Sequence, residues 1–175
     1  MSPRAVNRSL EALQAILIEA LPGVSEEVET VLLDLIRCEG EIGCTHLFAK
    51  RSGLKNRYRL ARRLRLQGLP SLAELAGWIR LLSWSLRWEE SHSSLFQIAS
   101  GRMNEPATCY RLVRRLTRLG WVQVRALGSK WVLLRLLDRC HETTALKIRP
   151  ETRPALPNAV SSPLNQSTHA STSRG

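Results

Sequence analysis

The sequence predicts an all-α fold in which two helix-turn-helix motifs are joined by a long linker helix, behind a short N-terminal helical extension. The first observation is an internal repeat: YRLARRLRLQG at 58–68 returns as YRLVRRLTRLG at 110–120, with seven of eleven positions identical. The second is that a segment of the form x-Leu-Phe-x-x-x-Ser-Gly precedes each copy, at 46–53 and 94–101. The third is the stretch between the copies, whose apolar residues recur at helical spacing.

The N-terminal extension, residues 1–42, is expected to be helical and acidic. Residues 9–21 carry an apolar face and are followed by Pro-Gly. Ser25 is predicted to begin a second helix, with Glu26 and Glu27 at the positive end of its dipole. Its apolar stripe is predicted to be Val28, Val31, Leu32, Leu35 and Ile36. These helices either pack on the rest of the chain or bind a second copy or a partner protein, and packing is the favoured interpretation.

Each repeating unit predicts a short amphipathic helix, a turn at a glycine and an arginine-rich second helix. Gly53 and Gly101 are expected to take the left-handed conformation that turns the chain. Pro106 is expected at the first position of the second helix in the second unit, after Asn104 or Glu105.

A helical wheel of the arginine segments predicts an apolar and a cationic face in both copies. In the first copy the residues predicted to face inward are Leu60, Ala61 and Leu64, and those predicted to face outward are Arg59 and Arg62. In the second copy the inner residues are Leu112, Val113 and Leu116, and the outer pair is Arg111 and Arg114. The repeat is thus expected to preserve both faces in the same phase.

The segment between the copies predicts one long helix. Ser71 and Glu74 form a capping-box pattern, and a helix over about 71–88 would be roughly 27 Å long at 1.5 Å per residue. Its three tryptophans, Trp78, Trp84 and Trp88, are expected to pack it between the two halves of the domain.

Charge is distributed unevenly along the chain. Residues 1–42 hold 3 basic and 8 acidic residues, a net charge of −5, whereas residues 43–140 hold 19 basic and 5 acidic residues, a net charge of +14. A basic segment of this size predicts a polyanionic partner. The segment 141–175 is rich in Pro, Ser, Thr and Asn and is predicted to be a disordered tail.

Residues 121–137 allow two interpretations. WVQVR-ALGS-KWVLLRL is compatible with a small β-hairpin, which would make the protein a winged helix with one functional reading helix. The leucine-rich second half favours a closing helix, and the helix is preferred. Both alternatives are compatible with the polyanionic partner that the charge predicts.

Other function classes lack a signal. No apolar run approaches the roughly 20 residues that span a bilayer, and the N-terminus lacks the apolar stretch of a signal peptide. Cys38, Cys44 and His46 fit no common zinc-site spacing, and the few carboxylates of 43–140 form no catalytic group. The sequence therefore predicts no enzyme, no metal, no cofactor and no membrane partner, and no small-molecule effector is evident.

The pattern over residues 43–126 resembles the DNA-binding domain of the AraC/XylS family of transcription regulators, two helix-turn-helix motifs joined by a helix. Gly53 and Gly68 match the family's two glycines, AGWIRLL resembles the start of its linker helix, and SLFQIA resembles its Ser-Ile-x-Glu-Ile-Ala. The preceding 42 residues are too few for the sensor domain that members often carry, so none is expected.

The resemblance implies sequence-specific binding of double-stranded DNA, with transcription regulation as its purpose. A cytoplasmic, nucleoid-associated bacterial protein is then expected. The residues expected to read bases are Arg59, Arg62, Arg111 and Arg114. Those expected at flanking or phosphate contacts are Lys55, Asn56, Tyr58, Arg63, Thr108, Tyr110 and Arg115. The alternative is a basic module that binds RNA or an anionic surface.

Overall fold

The computed structural model describes residues 14–21, 23–100 and 105–148, and within them every regular element is a helix and no strand is present. The helices are α1 (14–20), α2 (Glu26–Arg37), α3 (Thr45–Arg51), α4 (Arg57–Leu66), α5 (Leu72–Ser91), α6 (Leu95–Ser100), α7 (Pro106–Thr117) and α8 (Trp121–Ile148). The predicted all-α class is confirmed. Among the helices so described, none has both the length and the apolar character needed to cross a membrane.

The hairpin alternative for 121–137 is wrong, because α8 occupies these residues. Val124, Val132, Leu136 and Cys140 are all buried and recur at multiples of four residues, which is helical spacing. The Ala-Leu-Gly-Ser segment interrupts the helix instead of reversing a strand: Gly128 has φ 83° and ψ 172°, so α8 consists of two helical segments that meet there.

The carboxylate of Glu89, near the end of α5, caps the second segment of α8. Glu89 Oε1 accepts the backbone N–H of Ser129 at 2.6 Å, and Oε2 accepts its hydroxyl at 2.6 Å. This side chain satisfies an N–H that the break at Gly128 leaves without a helical partner. The interruption in α8 is thereby fixed to the end of α5.

Helix α8 also continues through residues 141–148, which composition had predicted to be disordered. Arg139 and Glu142 form an ion pair at 2.7 Å, and the Thr143 hydroxyl donates to the carbonyl of Arg139 at 2.8 Å. Pairs three or four residues apart support a helix beyond the end of its buried face. The rest of the predicted tail, 149–175, lies outside the described residues.

Helix α5 is buried on nearly every side and contacts α2, α6, α7 and α8. Ser71 Oγ accepts the N–H of Glu74 at 3.3 Å, as the capping pattern predicts. The Glu74 carboxylate does not complete the box but accepts Nε and Nη2 of Arg139 at 3.0 and 2.9 Å. Trp78 and Trp84 are buried as expected, while Trp88 is half-buried under the Arg125 guanidinium.

Helix α2 packs on the rest of the chain. All five residues of its predicted apolar stripe are buried. The loop after it approaches α5 closely at Gly40, whose carbonyl accepts Nη2 of Arg80 at 2.9 Å. Glu39 in the same loop binds Arg87 of α5 through both carboxylate oxygens, at 2.7 and 3.2 Å. The acidic extension therefore belongs to the same hydrophobic core as the basic segment.

Candidate nucleic-acid interface

Helix α4 is the second helix of the first pair, after α3 and a turn at Gly53, where φ is 77° as predicted. Asn56 caps it, because its Oδ1 accepts the N–H groups of Tyr58 and Arg59 at 3.1 and 2.9 Å. Leu60 and Leu64 are buried and hold the helix on the core. The prediction that Ala61 faces inward is wrong: it is exposed, since the buried pair is centred between Leu60 and Leu64, about 80° away on the helix.

Helix α7 is the second helix of the other pair and begins at Pro106, as predicted, with Glu105 at the N-cap. Its buried residues are Cys109 and Val113. Leu112 and Leu116, predicted to be its inner face, are half-buried and lie at the edge of the contact, where a Cβ on Gly77 of α5 would meet both. Residues 101–104, which include the second predicted turn glycine, lie outside the described residues.

The core contact is therefore shifted between the two copies of the repeat. The N-caps Asn56 and Glu105 are 49 positions apart, as are the buried pairs Leu60–Cys109 and Leu64–Val113. The sequence identity instead aligns residues 52 positions apart. A difference of three residues rotates the arginine pattern by about 60° relative to the core, so the expectation of a common phase is wrong.

The first helices of the two pairs show the same effect. In α3, Leu47 is 64% exposed and Phe48 is buried, whereas in α6, Leu95 is buried and Phe96 is 59% exposed. The shared Leu-Phe letters thus face different sides of their helices. The residues that correspond by burial are Phe48 with Ile98 and Ala49 with Ala99.

The eleven predicted contact residues all lie on α4, on α7 or directly before α4. Arg63 is half-buried and the other ten are exposed. Tyr58 is 70% exposed, and its hydroxyl accepts Nη2 of Arg57 at 2.9 Å, which lowers the pKa of Tyr58. Tyr58, Arg59, Arg62, Arg63 and Leu66 together line a concavity on the outer side of α4.

Glu27 of α2 occupies one flank of α4. Its Oε2 lies 2.7 Å from Nε of Arg63, an ion-pair distance without hydrogen-bond alignment, and its Oε1 lies 3.8 Å from Nη2 of Arg59. A second link is the backbone N–H of Ser25, which donates to Oε1 of Gln67 at 3.0 Å. Two predicted contact arginines therefore face an acidic helix, a relationship without a local sequence signal.

On α7 the predicted residues form a polar group near the N-terminus. The Thr108 hydroxyl donates to Glu105 Oε2 at 2.9 Å, and Nη2 of Arg111 donates to Thr108 Oγ1 at 3.2 Å. Arg111 also lies 3.5 Å from Glu105 in an exposed ion pair. Arg115 points elsewhere: it lines a cavity of about 380 Å³ with residues of α5 and α8.

Sequence reasoning missed Arg57 and Arg65, which are exposed on α4 beside the predicted residues. Arg65 lies three positions after Arg62, so its place on the outer side follows from helical spacing once the buried pair is known. Within the described residues, Arg62, Arg65 and Arg114 have no ion pair.

No family model, curated protein or solved structure matches this chain. The resemblance to AraC/XylS-type domains therefore stays a prediction that depends on the repeat, the helix order and the placement of the arginines.

Proposed function

We propose that this protein binds double-stranded DNA sequence-specifically and regulates transcription. The observation that carries the proposal is the repeated geometry of α4 and α7. Each is the second helix of a short pair, each is held by two buried residues four positions apart, and each has an arginine, Arg62 or Arg111, directly opposite that contact. A helix with this arrangement suits the major groove.

The chemistry of the exposed side chains supports the same proposal. A guanidinium can donate two hydrogen bonds to O6 and N7 of guanine, so arginines at the centre of the outer side suit base reading. Lys55 and Arg57, at the start of α4, suit phosphate contacts that fix the register. The net charge of +14 over residues 43–140 attracts any duplex before a site is found.

The linker supports two readers on one duplex. Helix α5 follows α4 along the chain and contacts α7 at Gly77, where an added Cβ would lie 3.2 Å from Leu116 and 3.3 Å from Leu112. Because α5 is buried along its length, it does not act as a flexible tether. From this function we propose that the protein lies in the bacterial cytoplasm and associates with the nucleoid.

A second candidate is single-stranded nucleic acid, RNA included. Tyr58 is 70% exposed beside Arg59 and Arg62, and an exposed aromatic ring among cations is a stacking surface for an unpaired base. Duplex binding is preferred because Arg62 and Arg65 of α4 occupy the same positions relative to the buried pair as Arg111 and Arg114 of α7, which stacking does not require.

Selection of bound sequences from a random duplex pool tests the proposal. We expect a bipartite consensus, and we expect binding to random duplex to be at least about a thousandfold weaker than to that consensus. The double variant Arg62→Ala/Arg111→Ala removes the two central arginines and should lose the preference for the consensus. A pool that yields no consensus, or a single-stranded competitor that displaces the duplex at equal concentration, would contradict duplex reading.

A further inference from the structure

The 49-residue correspondence between α4 and α7 changes which arginines are equivalent. By position relative to the buried pair, Arg62 corresponds to Arg111, and Arg65 corresponds to Arg114. The sequence repeat would instead pair Arg62 with Arg114 and leave Arg65 opposite Thr117. The two alignments therefore predict different sets of base-reading residues.

Both helices present the same arginine pair on the same part of the outer side. Taking the centre of the buried pair as the inward direction, Arg62 and Arg111 lie about 180° from it, and Arg65 and Arg114 about 120° from it on the same flank. All four side chains are exposed. The opposite flanks differ, because α4 has Arg59 and Arg63 against Glu27 there, while α7 has Thr108 and Leu112.

We infer that Arg65 is a base-reading residue equivalent to Arg114, and that both half-sites of the DNA target contain the same two guanines, one for the central arginine and one for its partner. The inference rests on the proposed function. Three residues of helix advance about 4.5 Å, close to the ~3.4 Å between neighbouring base pairs, so the two arginines of a helix reach adjacent or nearly adjacent pairs. The assignment gives Arg59 and Arg63 no base.

The half-sites should nevertheless be distinguishable. Directly after Arg65 in the sequence, α4 has Leu66, which is 63% exposed, where α7 has Arg115, which lines the cavity with α5 and α8. An apolar side chain in the major groove suits the methyl group of thymine, which an arginine does not. The half-site of α4 is therefore expected to carry a thymine at a position where the half-site of α7 does not, and this difference sets the orientation of the protein on its site.

Selections with single variants of the full chain test the equivalence. Arg65→Ala should remove the preference for one guanine in one half-site, and Arg114→Ala should remove it at the corresponding position of the other, with a loss of about 5- to 150-fold on the wild-type consensus. Arg65→Asn should change that guanine to adenine, because an asparagine amide is complementary to N6 and N7 of adenine. Arg135→Ala, which removes an exposed arginine of α8 outside the proposed interface, is the control and should change no base preference.

The outcomes separate this inference from the proposed function. A wild-type consensus that Arg65→Ala weakens equally at all positions means that Arg65 contacts only phosphate, and the inference is wrong while duplex reading stands. If Arg114→Ala instead changes the preference at the position that corresponds to the base read by Arg62, the 52-residue alignment is supported. The inference that Arg65 is equivalent to Arg114 is then wrong. If the wild-type protein selects no consensus, both the inference about Arg65 and the proposed sequence-specific binding are wrong.

Discussion

The carboxylate of Glu27 in α2 lies 2.7 Å from Nε of Arg63 in α4. The contact joins the negatively charged N-terminal segment to the helix that we propose to lie in a major groove. Glu26 and Glu29 belong to the same first turn of α2, so several carboxylates lie near the same end of the proposed interface. A phosphate that approaches Arg59 or Arg63 must compete with Glu27.

We expect Glu27→Gln to bind duplex DNA more tightly, by about two- to fivefold, on specific and random sequences alike. The range corresponds to the ~0.5–1 kcal/mol of an exposed ion pair, and the effect is general because phosphates occur in every sequence. Fluorescence anisotropy with labelled duplexes measures it. Glu26→Gln is the control, since it changes the net charge equally and Glu26 is in no ion pair with α4 among the described residues. Equal tightening by both variants would show a net-charge effect instead.

Gly40→Ala should destabilise the fold strongly. Gly40 has φ 75°, and an added Cβ would collide with the carbonyl oxygen of Ala76 and lie 2.9 Å from the N of Arg80, both backbone atoms of α5. The backbone conformation costs an alanine about 1–2 kcal/mol, and the collision adds about 1–3 kcal/mol. Urea unfolding measures the loss. Gly53→Ala is the control, because Gly53 has φ 77° with open space around its Cβ position. This variant should lose only the about 1–2 kcal/mol that the backbone conformation costs an alanine. A similar loss in both variants would rule out the collision.

Glu89→Ala should cost about 1–2 kcal/mol of stability, because the backbone N–H and the hydroxyl of Ser129 both lose their hydrogen bond to the Glu89 carboxylate at the break in α8. Ser129→Ala removes only the hydroxyl bond and should cost less. The double variant should be little worse than Glu89→Ala alone, since both changes remove the same interaction. Asp138→Ala, which removes a carboxylate from an exposed pair with Arg135, should stay within about 0.5 kcal/mol. Additive losses in the double variant would contradict the cap.

The thiols of Cys44 and Cys140 should differ in reactivity. Cys44 is exposed, and hydrogen bonds from the backbone N–H groups of Leu47 and His46 lower its pKa. Burial raises the pKa of Cys140 to about 12. A thiolate-selective reagent at pH 8 should therefore modify Cys44 first and Cys140 only after unfolding, as peptide mass spectrometry would show. Cys44→Ser should remove the fast reaction; early modification of Cys140 would contradict its burial.

The pKa of Cys140 also predicts a loss of stability in alkali. The folded thiol keeps its proton to about pH 12, whereas the unfolded thiol releases it near its ordinary value of 9.0. Above pH 9 the unfolded state binds fewer protons than the folded state, so the free energy of unfolding falls as the pH rises. The difference in that free energy between wild type and Cys140→Ala should shrink between pH 9 and pH 11 in urea titrations. A constant difference would mean that Cys140 ionises equally in both states.

Helix positions follow closely from the sequence, because caps and apolar spacing are local signals. The pattern over 71–88 predicts α5 to within a few residues, and Ser25 and Pro106 mark the starts of α2 and α7. The continuation of α8 past Cys140 was missed because composition records what a segment can bury and does not record pairs such as Arg139–Glu142.

The details of the candidate site depend on tertiary contacts and could not be predicted. Identity between the copies aligns Tyr58 with Tyr110, yet the buried pairs align Tyr58 with Ala107, because Cys109 and Val113 fill the contact made by Leu60 and Leu64. A helical wheel that takes the leucines of α7 as its buried face places Leu112 and Leu116 in the core, whereas the structure leaves both half-buried. The pairing of Glu27 with Arg63 spans 36 positions and has no periodicity that would indicate it.

The burial of α5 has a consequence for how this chain can change over evolutionary time. One residue inserted into an α-helix lengthens it by about 1.5 Å and turns everything after it by about 100°. In α5 that insertion would expose part of a buried surface and also turn α6 and α7 relative to the helices before it. The number of residues between Ser71 and His92 thus fixes the geometry of the proposed target. Related chains are expected to keep the length of α5 unchanged.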